Sequence, residues 1–144
     1  MRLLIYELRP PVLEQEGLAV ALQQRLDAVE GRAGVQARLL IEGEERLDPH
    51  LENALYRIAI EALNNALKHA AATSVTVRIR ARAGGVQLEI ADDGKGFDAQ
   101  VIGEQGGMGL NTMRERAEQL GGVFELVSAP GEGTTIRVEV VENP

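Results

Sequence analysis

"VTVRIRARAGGVQLEIADDGKGFD", residues 75–98, decides the fold, because one run holds two strands, the turn between them and a polar motif at the end. Val75, Val77 and Ile79 alternate with polar neighbours, as do Val86, Leu88 and Ile90; this is the period of half-buried strands. Gly84 and Gly85 stand between the two runs, so a hairpin is the simplest connection. The second strand opens onto Asp92, Asp93, Gly94 and Gly96. Alone, Asp-Asp-Gly reads as a tight turn, since both residue types accept turn dihedrals and Asp bonds its own backbone.

Upstream, Leu18, Leu22, Leu26 and Val29 recur at spacings of four, four and three, which predicts a helix ending near Gly31 to Gly34. "VQARLLIE", residues 35–42, places Val35, Ala37, Leu39 and Ile41 on one face of a strand. Asp48 and Pro49 suit the N-cap and first turn of a long helix running through "HLENALYRIAIEALNNALKHA", residues 50–70. Downstream of the motif, a polar, glycine-rich loop feeds a short helix with Leu110, Met113, Ala117 and Leu120 along one stripe. "VFELVSAPGEGTTIRVEVV", residues 123–141, then predicts two strands around a Pro-Gly-Glu-Gly turn, with Ile136, Val138 and Val140 on one face. The expected architecture is an α/β two-layer sandwich of one mixed sheet and one helical layer.

With 144 residues and 44% hydrophobic content, a single domain with a sizeable core is expected. The absence of cysteine excludes a disulfide framework and a thiolate metal site and fits a reducing, cytoplasmic setting. Apolar runs are too short to span a bilayer, and no secretory segment opens the chain, so no direct membrane contact is expected of this segment even if its parent is anchored. A net charge of −7 with scattered Lys and Arg argues against nucleic acid as a partner. No Walker-type GxxxxGK[ST] is present, no GxGxxG joins a strand to a helix, and Gly94 and Gly96 offer no side-chain ligands where an EF-hand loop needs them.

On the long helix, Glu61 and Asn65 lie about 40° apart, and Lys68 falls within about 20° of Glu61. They form a polar stripe beside an apolar one of Leu51, Leu55, Ile58, Ala62 and Ala66, which puts Glu61 and Asn65 at the rim of the core. A Glu and Lys pair at this spacing is by itself an ordinary solvated face.

In order and rough spacing, "EALNNALKHA", "DDGKGFD", "GGMGLNTMRERA" and "GEGTT" resemble the ATP-binding domain of sensor histidine kinases. "LRPPVLEQEGLAVAL" and "YRIAIEALNNALKHA" resemble the subclass whose kinases usually pair with response regulators carrying helix-turn-helix domains. The resemblance covers essentially the whole chain. It implies the Bergerat-type fold, ATP and Mg²⁺ as cofactors, and transfer of the γ-phosphoryl group to a histidine on a dimerisation helix and thence to a response regulator. Residues 1–11 are then expected to be the stub of that helix plus a linker, ended by Pro10 and Pro11, with the ATP-binding domain over 12–144. Neither His50 nor His69 sits in a phosphoacceptor context. Two alternatives stay open: a serine kinase of the anti-sigma type, and a nucleotide-sensing module that binds ATP without transferring it.

The resemblance also assigns roles. Glu-x-x-x-Asn selects Glu61, acting behind the metal or as a general base, and Asn65 as the magnesium ligand, a sensible donor because Mg²⁺ beside a triphosphate needs few protein oxygens. Lys68 and His69 are candidates to meet the phosphates; His69 reads equally well as a packed helix-end residue. Asp-x-Gly-x-Gly selects Asp92 as acceptor for the adenine amine, which would disfavour GTP because guanine presents an acceptor there. Gly94 and Gly96 would let the backbone approach the base, leaving Asp93 as exposed turn. Gly107 and Gly109 would free a loop over the triphosphate, and backbone amides at the helix start from Leu110 would point at its oxygens. Thr134 resembles the threonine of the adenine-side hydrogen-bond network.

Overall fold

The computed structural model describes residues 16–43, 47–68, 72–82, 84–96 and 108–141, with backbone alone at 32, 33, 68 and 108–110. Among the described residues three helices, α1 (Leu18–Ala33), α2 (Pro49–Lys68) and α3 (Met108–Gln119), pack on a five-stranded sheet made of β1 (Gln36–Glu42), β2 (Ser74–Arg82), β3 (Gly85–Asp92), β4 (Val123–Ser128) and β5 (Thr134–Val141). The strand order is β1-β2-β3-β5-β4. β1 runs parallel to β2, and the other neighbours are antiparallel. The expected mixed sheet with one helical layer is present. The parallel pair follows from connectivity, since α2 carries the chain back across the sheet between β1 and β2.

Register explains the core. Val77 pairs with Ile90 and Ile79 with Leu88, while Leu88 pairs with Val138 and Ile90 with Ile136. Each row therefore points its apolar side chains to the same face, and all six are buried. Leu22 and Leu26 of α1, Leu55, Ile58 and Ala62 of α2, and Met113 and Ala117 of α3 close that face from above. The helix α1 lies over β1, α2 contacts β2 and β3, and α3 contacts β4 and β5, with α2 between the other two helices.

The other face is mainly polar, with Leu40, Val123, Val127 and Val141 exposed on it. Glu125, Arg137 and Glu89 form a cross-strand ladder, Arg137 bonding Glu125 at 2.9 Å and approaching Glu89 at 3.4 Å.

Helix ends follow local signals. Gly34 closes α1 in the left-handed region, φ +70°. The helix α2 begins at Pro49, where its missing N–H costs nothing, and the Glu52 N–H donates to the Asp48 carbonyl. Glu52 itself is buried and accepts from the Leu47 N–H at 3.3 Å. On β1 the expected face is correct in parity, yet Ile41 is 47% exposed, since an edge strand receives cover from one helix only. No helix among the described residues is long and apolar enough to cross a membrane.

Candidate functional site

Parity distinguishes the two aspartates. Asp92 continues the row Val86, Leu88, Ile90, so its side chain faces the helical layer at the end of β3; Asp93 is exposed. Across the sheet Asp92 pairs with Thr134, the buried first residue of β5, and with Val75 on the other side. Asp92 Oδ1 accepts the Gly94 N–H at 2.8 Å, which curls the chain back over the carboxylate. Burial raises the Asp92 pKa above the ordinary 3.8; hydrogen bonds from Gly94 and Thr134 oppose this, while the Asp93 charge reinforces it.

The two glycine-containing loops interlock. Gly96 has φ +65°, and a Cβ there would overlap the Ala129 carbonyl oxygen; one at Gly133, φ +78°, would overlap the Asp92 carbonyl oxygen. Gly131 N–H donates to the Lys95 carbonyl at 2.6 Å. The β4–β5 turn is thus pressed against the backbone of residues 92–96, which only glycine permits. Ser128 Oγ donates to the Gly133 carbonyl at 3.1 Å and lies 2.8 Å from Thr134 Oγ1, so Thr134 is held in a hydroxyl pair. Ser128 was not singled out by sequence; its only signal is its place at the last position before the turn.

Glu61 and Asn65 sit half-buried on α2, beside the buried Ala62 and Ala66, as the rim position requires. Lys68 is the last residue of α2. The C-terminal half of this helix lies toward the Asp92 end of the sheet: Ala72 N–H donates to the Ala66 carbonyl, and the next residue, Thr73, bonds Asp93. Asp93 is more than exposed turn. Its Oδ1 accepts the Thr73 and Ser74 N–H groups at 2.8 and 2.9 Å, its Oδ2 accepts the Thr73 hydroxyl at 2.6 Å, and these bonds lower its pKa to about 2.

Gly109 and Leu110 fall inside the first turn of α3, which begins at Met108. This corrects the expectation of a helix starting at Leu110 with Gly109 in the loop. The first turn of α3 carries no acidic side chain, and its amides lack intrahelical partners, so the end keeps its affinity for an anion. His69 and Gly107 lie outside the described residues.

No cluster of three or more His, Cys, Asp or Glu fit to hold a metal occurs among the described residues. The half-buried side chain of Asn65 offers an amide oxygen, a hard donor of the kind Mg²⁺ takes. Two hollows of about 280 and 270 Å³ lie toward the opposite, hairpin end of the sheet, around Arg82 and around Ile79, and touch none of these residues.

Residues 50–144 match the family described as Histidine kinase-, DNA gyrase B-, and HSP90-like ATPase. The chain is 39% identical over 97% of its length to an uncharacterized sensor-like histidine kinase of Chloroflexus aurantiacus, covering 25% of that protein. It is 36% identical over 97% of its length to the sensor histidine kinase LiaS of Bacillus subtilis, covering 38% of it. Thus it spans well under half the length of these relatives. Among solved structures, the histidine kinase domain of the Erythrobacter litoralis EL346 blue-light activated histidine kinase aligns with a TM-score of 0.68 at 21% identity, over 85% of this chain and 60% of that one.

Proposed function

Since the chain belongs to the histidine kinase-, DNA gyrase B- and HSP90-like ATPase family, we propose that it is the ATP-binding catalytic domain of a two-component sensor histidine kinase. It would pass the γ-phosphoryl group of ATP to a histidine on a helical segment outside these 144 residues, and from there to a response regulator. One observation carries the reading at the level of the site. Asp92 and Thr134 are register partners on the inner face, at the end of β3 where glycines clear the backbone. Beyond its bond from Gly94, the half-buried Asp92 carboxylate can accept the exocyclic 6-amine of adenine, where guanine presents its O6 acceptor instead.

The remaining roles are those the family resemblance implies. Asn65 would hold the nucleotide-borne magnesium through its amide oxygen, and Glu61, one turn earlier, would accept a proton or order what surrounds the metal. Lys68 and His69 would meet the phosphates, with Gly107 and, in the first turn of α3, Gly109 leaving the helix amides open to them. Bound magnesium supplies charge neutralisation at the transferring phosphoryl group, so catalysis is mainly positioning and electrostatics.

Radiolabelled ATP tests this. The chain alone should bind nucleotide and incorporate no acid-labile phosphate. Supplied with a phosphoacceptor helical hairpin, fused or at high concentration in trans, label should appear on the hairpin histidine and depend on Glu61, Asn65 and Asp92. Label on His50 or His69 of the chain alone would overturn the roles given. Transfer to a serine of a partner would favour the anti-sigma type of kinase, and binding without transfer under any condition would favour a nucleotide-sensing module.

A further inference from the structure

The two halves of the candidate site come from distant stretches: Asn65 from α2, and Asp92 from the end of β3. Between their neighbours runs a path of hydrogen bonds joined by adjacent residues. Ala66, adjacent to Asn65, accepts the Ala72 N–H through its carbonyl at 3.3 Å. The following residues, Thr73 and Ser74, donate three bonds to the Asp93 carboxylate at 2.6 to 2.9 Å, and Asp93 N–H donates back to the Ser74 carbonyl at 3.3 Å. Asp93 is adjacent to Asp92. A further bond from Gln36 N–H to the Thr73 carbonyl, at 3.0 Å, anchors the crossing to β1.

We propose that Asp93 is a positioning residue that ties the end of α2 to the end of β3 and so fixes Asn65 and Asp92 relative to each other. The inference rests on the nucleotide-binding reading above and goes beyond it, since that reading gives Asp93 no contact with ligand. Asp93 is exposed, and a solvated aspartate has no packing reason to make four bonds to one short segment. Two of its bonds take backbone N–H groups at the start of β2, where β1 pairs in parallel and a connection from α2 must turn sharply. A ligand that touches the Asp92 end alone is indifferent to this tie. A ligand that spans both halves is not, because an ångström of misplacement between groups acting on one molecule is costly.

Calorimetric titration of adenosine and of ATP with magnesium separates the two cases. Asp93→Ala should weaken ATP binding about tenfold and adenosine binding less than about twofold. Asp93→Asn keeps an oxygen for both backbone N–H groups and should return ATP binding to within about threefold of the parent. Equal losses for the two ligands, no loss for ATP, or an Asn variant as weak as the Ala variant would each overturn the proposal. If Asp93→Ala shows no cooperative unfolding transition, Thr73→Val carries the test. It removes only the hydroxyl bond and should cost ATP about twofold with adenosine unchanged; any other pattern sinks the idea. A parent chain that binds adenosine and ATP equally poorly would overturn the nucleotide reading itself, and the tie with it.

Discussion

Asp92 and Asp93 are adjacent carboxylates whose surroundings push their acidity in opposite directions, burial raising the first and hydrogen bonds from Thr73 and Ser74 lowering the second to about 2. Asp92→Asn should weaken ATP binding by about 1 to 3 kcal/mol and relax the exclusion of GTP; a variant binding ATP as tightly as the parent would reduce Asp92 to a turn residue. Because the Asp92 pKa is raised, its ionised form is lost on acidification earlier than an ordinary aspartate's. Adenosine, which has no phosphate to titrate, should therefore bind more weakly as pH falls, the loss starting above 3.8 and at higher pH than in the Asn variant, where only the adenine ring titrates. For Asp93 the stabilising contribution is complete above 3.8 and disappears as pH falls toward about 2, so Asp93→Ala should flatten the acid limb of stability in that window. Motif spacing selected Asp92 over Asp93, and sheet parity turns the Asp92 side chain, on the row of Val86, Leu88 and Ile90, toward the helical layer. The bonds of Asp93 were not legible, because its partner Thr73 lies twenty positions upstream and nothing in Asp-Asp-Gly points there.

Among the elements, the hairpin and the helix stripes were readable because burial on one side imposes a period on the sequence. The start of α3 was less so: Gly109 disfavours a helix interior, yet in a first turn its amide has no partner to lose, and propensity gave way. Likewise hidden was the interlock between the β4–β5 turn and residues 92–96, an arrangement of backbone against backbone that leaves only glycines as its trace. Gly96→Ala tests it. With a left-handed φ and the Ala129 carbonyl in the way, the variant should lose about 1 to 3 kcal/mol of stability and bind ATP more weakly. Gly84→Ala is the matched control, equally left-handed but facing open space at the far end of the sheet; it should lose stability and keep ATP affinity. Equal affinities in both variants would mean the interlock does not shape the site.

For the molecule as a whole, core and site share elements. Leu55, fully buried on the helix that carries Glu61 and Asn65, should cost about 2 to 5 kcal/mol when cut to Ala. ATP with magnesium at a hundredfold excess over its Kd should return about 2.7 kcal/mol in urea unfolding, to parent and variant alike. A nucleotide effect absent from both would count against a ligand bound by the folded state. The overall α/β sandwich was visible because each element declares its own inner face. The exposure of Ile41 was not, since coverage of an edge strand depends on how far a neighbouring helix reaches.

The strand order carries one more consequence, this time for how the molecule comes into being. β5, the last element among the described residues, does not sit at an edge but between β3 and β4, against Asp92. A growing chain that has already emitted α2 and the Asp-x-Gly-x-Gly stretch still lacks the partner of Asp92 and the turn that braces Gly96. Until the final strand is inserted, the centre of the sheet is an open edge, and its long-range pairings make this a late event. A nascent chain not yet extended through β5 therefore lacks the assembled Asp92 end of the sheet, whatever it has already made of α2.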